Sequence, residues 1–176
     1  MKKIFLLTFL TLAFVFSTEA TAQKFNGLDK SPADIASFPS SYRVSKKDVR
    51  VIYSRPQLKG RSLSELAPDG KVWRTGANEA PEITFYKDVT LGGKSVKAGT
   101  YALFTIPGDS EWTVILNSNL NQWGAYSYSS DADVVRVTAK SSTDSESLEA
   151  FSIAFEENGN MVMGWGTVRV SLPIGL

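Results

Sequence analysis

Residues 99–117 read GTYALFTIPGDSEWTVILN, and this stretch decides the fold class. Gly99 opens a strand over Thr100 to Ile106, Pro107-Gly108-Asp109 turns the chain, and Glu111 to Asn117 returns. Tyr101 to Ile106 and Trp112 to Leu116 are largely apolar on both faces. A strand wetted on one side alternates apolar and polar residues; a strand apolar on both sides sits mid-sheet with both faces covered.

The flanking segments read as further short strands. Glu82 to Tyr86 is one, and Gly92-Gly93 between Val89-Thr90-Leu91 and Lys94-Ser95-Val96 is a two-residue hairpin signal. Val49, Val51 and Tyr53 alternate with Arg50 and Ser54. Lys59-Gly60-Arg61 is a turn, and Ser62-Leu63-Ser64-Glu65 has the spacing of a capping box, which predicts one short helix. Residues 23–42, polar and turn-rich with Pro32 and Pro39, are expected to form a loosely packed lead-in with one helical turn at Pro32 to Ile35.

Asn119 to Ser130 reads as a long polar and aromatic loop, Asp133 to Ala139 as a strand, and Ser141 to Ser147 as a solvated turn. Phe151, Ile153 and Phe155 alternate with Ser152, Ala154 and Glu156. Asn158-Gly159 turns into Met161 to Trp165, and Thr167 to Leu172 closes the chain. The expected class is all-β: an antiparallel sandwich of about eight or nine strands, jelly-roll-like or Ig-like, with at most one or two short helices. A flattened barrel is the alternative. No linker divides residues 43–176, which read as one domain.

Lys2 and Lys3, the apolar run Ile4 to Phe16 and the small residues Ala20-Thr21-Ala22 have the pattern of a secretory signal peptide over residues 1–22, cleaved after Ala22. Export to the periplasm or the medium follows as an expectation, with no membrane span left after cleavage. Without Lys2, Lys3 and Glu19, the 19 basic and 18 acidic residues balance. A neutral domain lacking a basic block is a poor nucleic-acid binder, because that binding rests on phosphate neutralisation. The sequence leaves the oligomeric state open.

The chain has no cysteine and no histidine. No disulfide can staple the fold, so stability has to come from the core. Ser-His-Asp and Cys-His catalysis and the usual zinc sites are excluded. No cofactor or metal is called for: Asp131-Ala132-Asp133 offers oxygens without the rest of a calcium loop.

The densest polar stretch, Trp73-Arg74-Thr75-Gly76-Ala77-Asn78-Glu79, combines an aromatic face, a guanidinium, an amide and a carboxylate on a loop. As a binding loop, Trp73 would stack, Arg74 would grip an anion, and Asn78 and Glu79 would make polar contacts. Structurally, Trp73 would plug the sandwich and Arg74 would tie the loop down. Arg55, Lys59 and Arg61 form a second basic group, and Arg55 could converge with Arg74 on one anion; the alternative is a solvated rim. Trp123 and Tyr126, with Tyr128, are a third candidate group. Burial is favoured for Trp123 and partial exposure for the two tyrosines. Glu79 and Glu82 could work as an acid–base pair, but a spacing of three on a strand puts them on opposite faces.

Tyr53-Ser54-Arg55-Pro56 with Lys59-Gly60-Arg61, Gly70 to Ala80, Lys97 to Pro107, Glu111 to Ile115 and Gln122 to Tyr126 together resemble the DUF2911 family of exported bacterial proteins. The resemblance runs from about residue 43 to the C-terminus and implies a β-rich exported domain, with no reaction, substrate or catalytic residue to carry over. Ser62-Leu63-Ser64-Glu65-Leu66 departs from the more aromatic or glycine-containing stretch common in members. The leading functional reading is a non-catalytic envelope module binding a glycan, peptide or small anion. A small hydrolase or lyase using Arg74, Glu79 and a tyrosine, and an assembly domain pairing with another envelope protein, are the alternatives.

Overall fold

The computed structural model describes residues 23–176, so the leader read at 1–22 lies outside the described residues. Among the described residues ten strands form two antiparallel sheets. They are β1 (Ala33–Phe38), β2 (Val49–Ser54), β3 (Glu82–Phe85), β4 (Val89–Leu91), β5 (Lys94–Val96), β6 (Gly99–Ile106), β7 (Glu111–Asn117), β8 (Asp133–Phe155), β9 (Met161–Leu172) and β10 (Ile174–Gly175). The large sheet has the order β1-β2-β3-β6-β7-β8-β9 and the small one β10-β4-β5. The antiparallel sandwich class holds. The connectivity, however, is a meander interrupted by the β4–β5 hairpin, not the Greek key of jelly rolls and Ig domains. Among the described residues, no helix is long and apolar enough to cross a membrane.

The hairpin that decided the class lies at the centre of the large sheet. Ala102 to Thr105 and Val114 to Asn117 are all buried. Their inward face joins the main core, where Trp73 stacks on Trp165 at 5.5 Å and meets Phe151 edge-on at 5.3 Å. Their outward face carries a second cluster, Ala102, Phe104 and Ile115, covered by Ala125 and Tyr128 from the loop after β7. The two-faced apolar pattern has this cause. The small sheet closes the main core with Val89, Leu91, Val96 and Ile174. Its Gly92-Gly93 tip rests on Val137 so closely that a Cβ at Gly92 would stand 3.0 Å from the valine Cβ.

Long β8 curls the sheet back on itself. Its first part, to Lys140, pairs with β7 and the rest with β9, and within the β9 pairing the register shifts twice, between Thr143 and Leu148 and between Leu148 and Ser152. The second part then reaches the segment after β2: Leu58 N–H donates to Glu149 O and Phe151 N–H to Pro56 O, both at 2.9 Å. Side chains seal the rest of this seam. The Tyr53 hydroxyl bonds the backbone of Ile153, and Arg55 bonds Phe151 O at 3.1 Å, Ser152 Oγ at 2.7 Å and Asp34 at 3.1 Å.

Three local expectations fail for tertiary reasons. Residues 33–38, placed in a loose lead-in with a helical turn, form edge strand β1, because the free edge of β2 supplies partners from Val49 to Ser54. Phe38 also packs on Phe155 at 6.3 Å. Ser141 to Ser147, read as a turn, lies inside β8, where the ladder to β9 keeps polar, exposed residues extended. Met161 to Leu172 is one strand that passes through Gly166 (φ 56°). The short helix α1 (Leu63–Leu66) has its capping box: Ser62 Oγ accepts from Glu65 N–H at 3.3 Å, and Glu65 accepts from Ser62 N–H at 2.7 Å.

Candidate functional site

The loop from Trp73 to Glu79 is fixed by backbone pairing at both ends. Trp73 exchanges hydrogen bonds with Thr105 of β6 at 2.7 and 2.9 Å. This pairing aims the indole into the main core, where Trp73 is only 6% exposed. The chain then bends through Thr75 (φ 57°), a β-branched residue in the left-handed region and therefore strained. Burial and a 3.1 Å bond from its hydroxyl to that of Thr105 hold it there. At Gly76 a Cβ would stand 3.0 Å from Ser54 O, so any side chain there would crowd the backbone of β2. Asn78 (φ 60°) makes the last bend. The Ser31 N–H, which donates to Asp29 at 2.7 Å, and after it the nearby Asn78 amide hold the Asp29 carboxyl below the usual carboxylate range.

Beyond the bend, the loop lies antiparallel to residues 122–124. Gly124 N–H donates to Asn78 O at 2.9 Å and Ala80 N–H to Gln122 O at 2.8 Å, with Glu79 directly opposite Trp123. Opposed residues in an antiparallel pair present their side chains on the same face. Glu79 and Trp123 therefore emerge together, Glu79 exposed and Trp123 62% exposed.

Beside them runs a groove of about 300 Å³ along the outer face of β2 and β3, walled in part by Ser54, Glu79, Pro81, Glu82 and Asn121 over the exposed side chain of Ile52. Glu82 accepts from Asn121 N–H at 3.1 Å. Among the described residues neither glutamate has an ion-pair partner, and no lysine or arginine lines the groove. Two carboxylates over an aliphatic floor, with an indole alongside, present hydrogen-bond acceptors to a ligand whose other face is apolar.

The predicted site residues separate into those that frame this groove and those that do not. Glu79 lines it, Trp123 is tied to its rim only through the backbone pairing with Glu79, and Asn78 precedes Glu79 without lining it. Tyr126, on the same loop as Trp123, is 86% exposed. Trp73 is core, so it offers no stacking face. Arg74 is half-buried, and its Nε is enclosed without a hydrogen-bond partner. Arg55 is committed to the seam, and Arg61 braces its own turn through Leu58 O and Gln57 O, both at 3.0 Å. The convergence of Arg55 and Arg74 on an anion is not realised.

The assignment of Trp123 is corrected: expected to be buried, it faces solvent because its backbone pairs at the rim. Tyr128 is partly exposed, as expected, with its ring edge-on to Phe104 at 5.1 Å and its hydroxyl on Asp133 at 2.7 Å. Burial, and then the bond to Asp133, push the Tyr128 phenol up. Arg136 Nε also donates to Asp133, at 2.6 Å, so that carboxylate holds both the Tyr128 hydroxyl and a guanidinium. Glu79 and Glu82 share one groove instead of opposite faces, because β3 begins only at Glu82 and the alternation rule does not reach back past Pro81. Sequence reading missed Ile52, Ser54 and Asn121. Ile52 had a usable signal: it is an aliphatic residue out of phase with Val49, Val51 and Tyr53.

The family model of DUF2911, a protein of unknown function, matches residues 31–174, from just before β1 to the start of β10. The chain belongs to the DUF2911 family. The groove thus lies within the DUF2911 domain, and β1 falls inside the matched region. Comparison with curated proteins and with solved structures gives no match.

Proposed function

We propose that this DUF2911 protein is an exported binding module whose groove over Ile52 takes a small ligand with hydrogen-bond donors on one edge and an apolar face. The observation that carries the reading is the pairing of unspent polar groups with unspent apolar surface in one place. Among the described residues Glu79 and Glu82 lack cationic partners, while Ile52 beside them is 49% exposed and Trp123, paired with Glu79, 62% exposed. Elsewhere on the domain charged side chains brace backbone, as at Arg55, Arg61 and Arg169. An anionic ligand fits poorly, since the groove offers no cation. Export rests on the leader pattern at residues 1–22.

A thermal-shift screen of sugars, amines and small peptides would find the ligand, because binding to the native state raises Tm. Ile52→Lys then tests the place. The exposed position tolerates the change, and the new side chain occupies the floor. The shift should vanish while the unliganded Tm stays within about 2 °C, as expected of a surface substitution. An unchanged ligand shift in Ile52→Lys would remove the groove from consideration.

A further inference from the structure

Resting on that reading, we infer that the ligand is a sugar ring carrying a free ammonium group. The groove, at about 300 Å³, is at the lower end of the size range of small-molecule sites, so it suits one ring better than an extended chain. Its floor is aliphatic, from Ile52 and Pro81, and matches the C–H face of a pyranose. Its polar groups are mostly acceptors: the Glu79 carboxylate, which makes no hydrogen bond among the described residues, and the second oxygen of Glu82, whose first oxygen accepts from Asn121 N–H.

The Trp123 indole adds an independent preference. It has no aromatic neighbour within stacking distance among the described residues, and it shares its face with Glu79 through their backbone pairing. A ring face attracts a cation through its quadrupole, and a carboxylate beside it does so through charge. A neutral sugar would satisfy the donors and the stack but leave two carboxylates without a countercharge. A bare alkylamine would supply the charge but leave the floor and the Ser54 hydroxyl idle. A ring with an ammonium uses all three.

The test is a titration of the protein with glucosamine, N-acetylglucosamine, glucose and butylamine, followed by calorimetry and by NMR of the groove residues. A charge-assisted bond predicts glucosamine binding roughly tenfold or more tighter than the two uncharged sugars. Added salt should shrink this advantage. Glu79→Gln should erase it, so that glucosamine binds the variant no more tightly than glucose does. Glu82→Gln, which keeps a carbonyl for Asn121 N–H, should reduce it by a smaller factor. Equal binding of the three sugars overturns the ammonium inference and spares the groove. Butylamine binding as tightly as glucosamine overturns the sugar ring. No ligand moving the groove signals of the folded protein overturns both this inference and the binding reading beneath it.

Discussion

Trp73 and Trp123 both sit on the loops that frame the groove, yet their surroundings make them opposites. Trp73 lies beside Thr105 of a central strand, and that pairing turns its ring onto Trp165 and Phe151. Trp123 lies opposite Glu79 at the rim, and the same kind of pairing turns its ring to solvent. Residue type does not separate the two; the position of the backbone partner does. One indole closes the core and the other is left available, so the loop region supports the fold at one end and offers surface at the other.

Four substitutions would break or sharpen that contrast. Trp73→Ala should cost about 3–5 kcal/mol in urea unfolding, the range for deleting a buried indole. A loss below 1 kcal/mol would mean the ring is not integral to the core. Gly76→Ala should cost about 1–3 kcal/mol, because the new methyl meets the backbone oxygen of Ser54, which cannot swing away. The same variant should weaken ligand binding by displacing Glu79. Arg55→Ala should cost about 1 kcal/mol, since its ion pair with Asp34 is over one-third exposed and screened, leaving its two seam bonds as the main loss. Hydrogen exchange at Phe151 and Ile153 would report the loosened seam. Trp123→Ala should change stability by less than about 0.5 kcal/mol and affect only binding. Destabilisation as large as that of Trp73→Ala would erase the contrast.

The strand pattern was legible wherever one face or both carried a clear apolar signal. β2, β6, β7 and the second half of β8 follow from local chemistry, as does the Gly92-Gly93 hairpin, whose two positive φ values only glycine adopts freely. β1 was not legible: Ala33 to Phe38 has a weak alternation, and its strand state is imposed by the edge of β2. The middle of β8 was not legible either, since Ser141 to Ser147 has the composition of a turn.

The site was legible in part for the same reason. Asn78 and Glu79 stood out as polar groups on a glycine-bearing loop. Which of two tryptophans faces out, and whether Glu79 joins Glu82, depend on pairings distant in sequence, between Glu79 and Trp123, 44 residues apart, and between Trp73 and Thr105 of β6, 32 residues apart. The arginines misled because a guanidinium reads as an anion site in sequence, whereas in a curled sheet it serves equally well to satisfy carbonyl groups along a seam.

The most direct test uses the four tryptophans as reporters. Each gives one indole N–H signal, and substitution assigns them. On titration with a ligand found by the screen, the Trp123 signal should move with the backbone signals of Ile52 and Glu79, while those of Trp73, Trp112 and Trp165 stay in place. Movement around Arg55 and Arg61 with Trp123 unmoved would contradict the account.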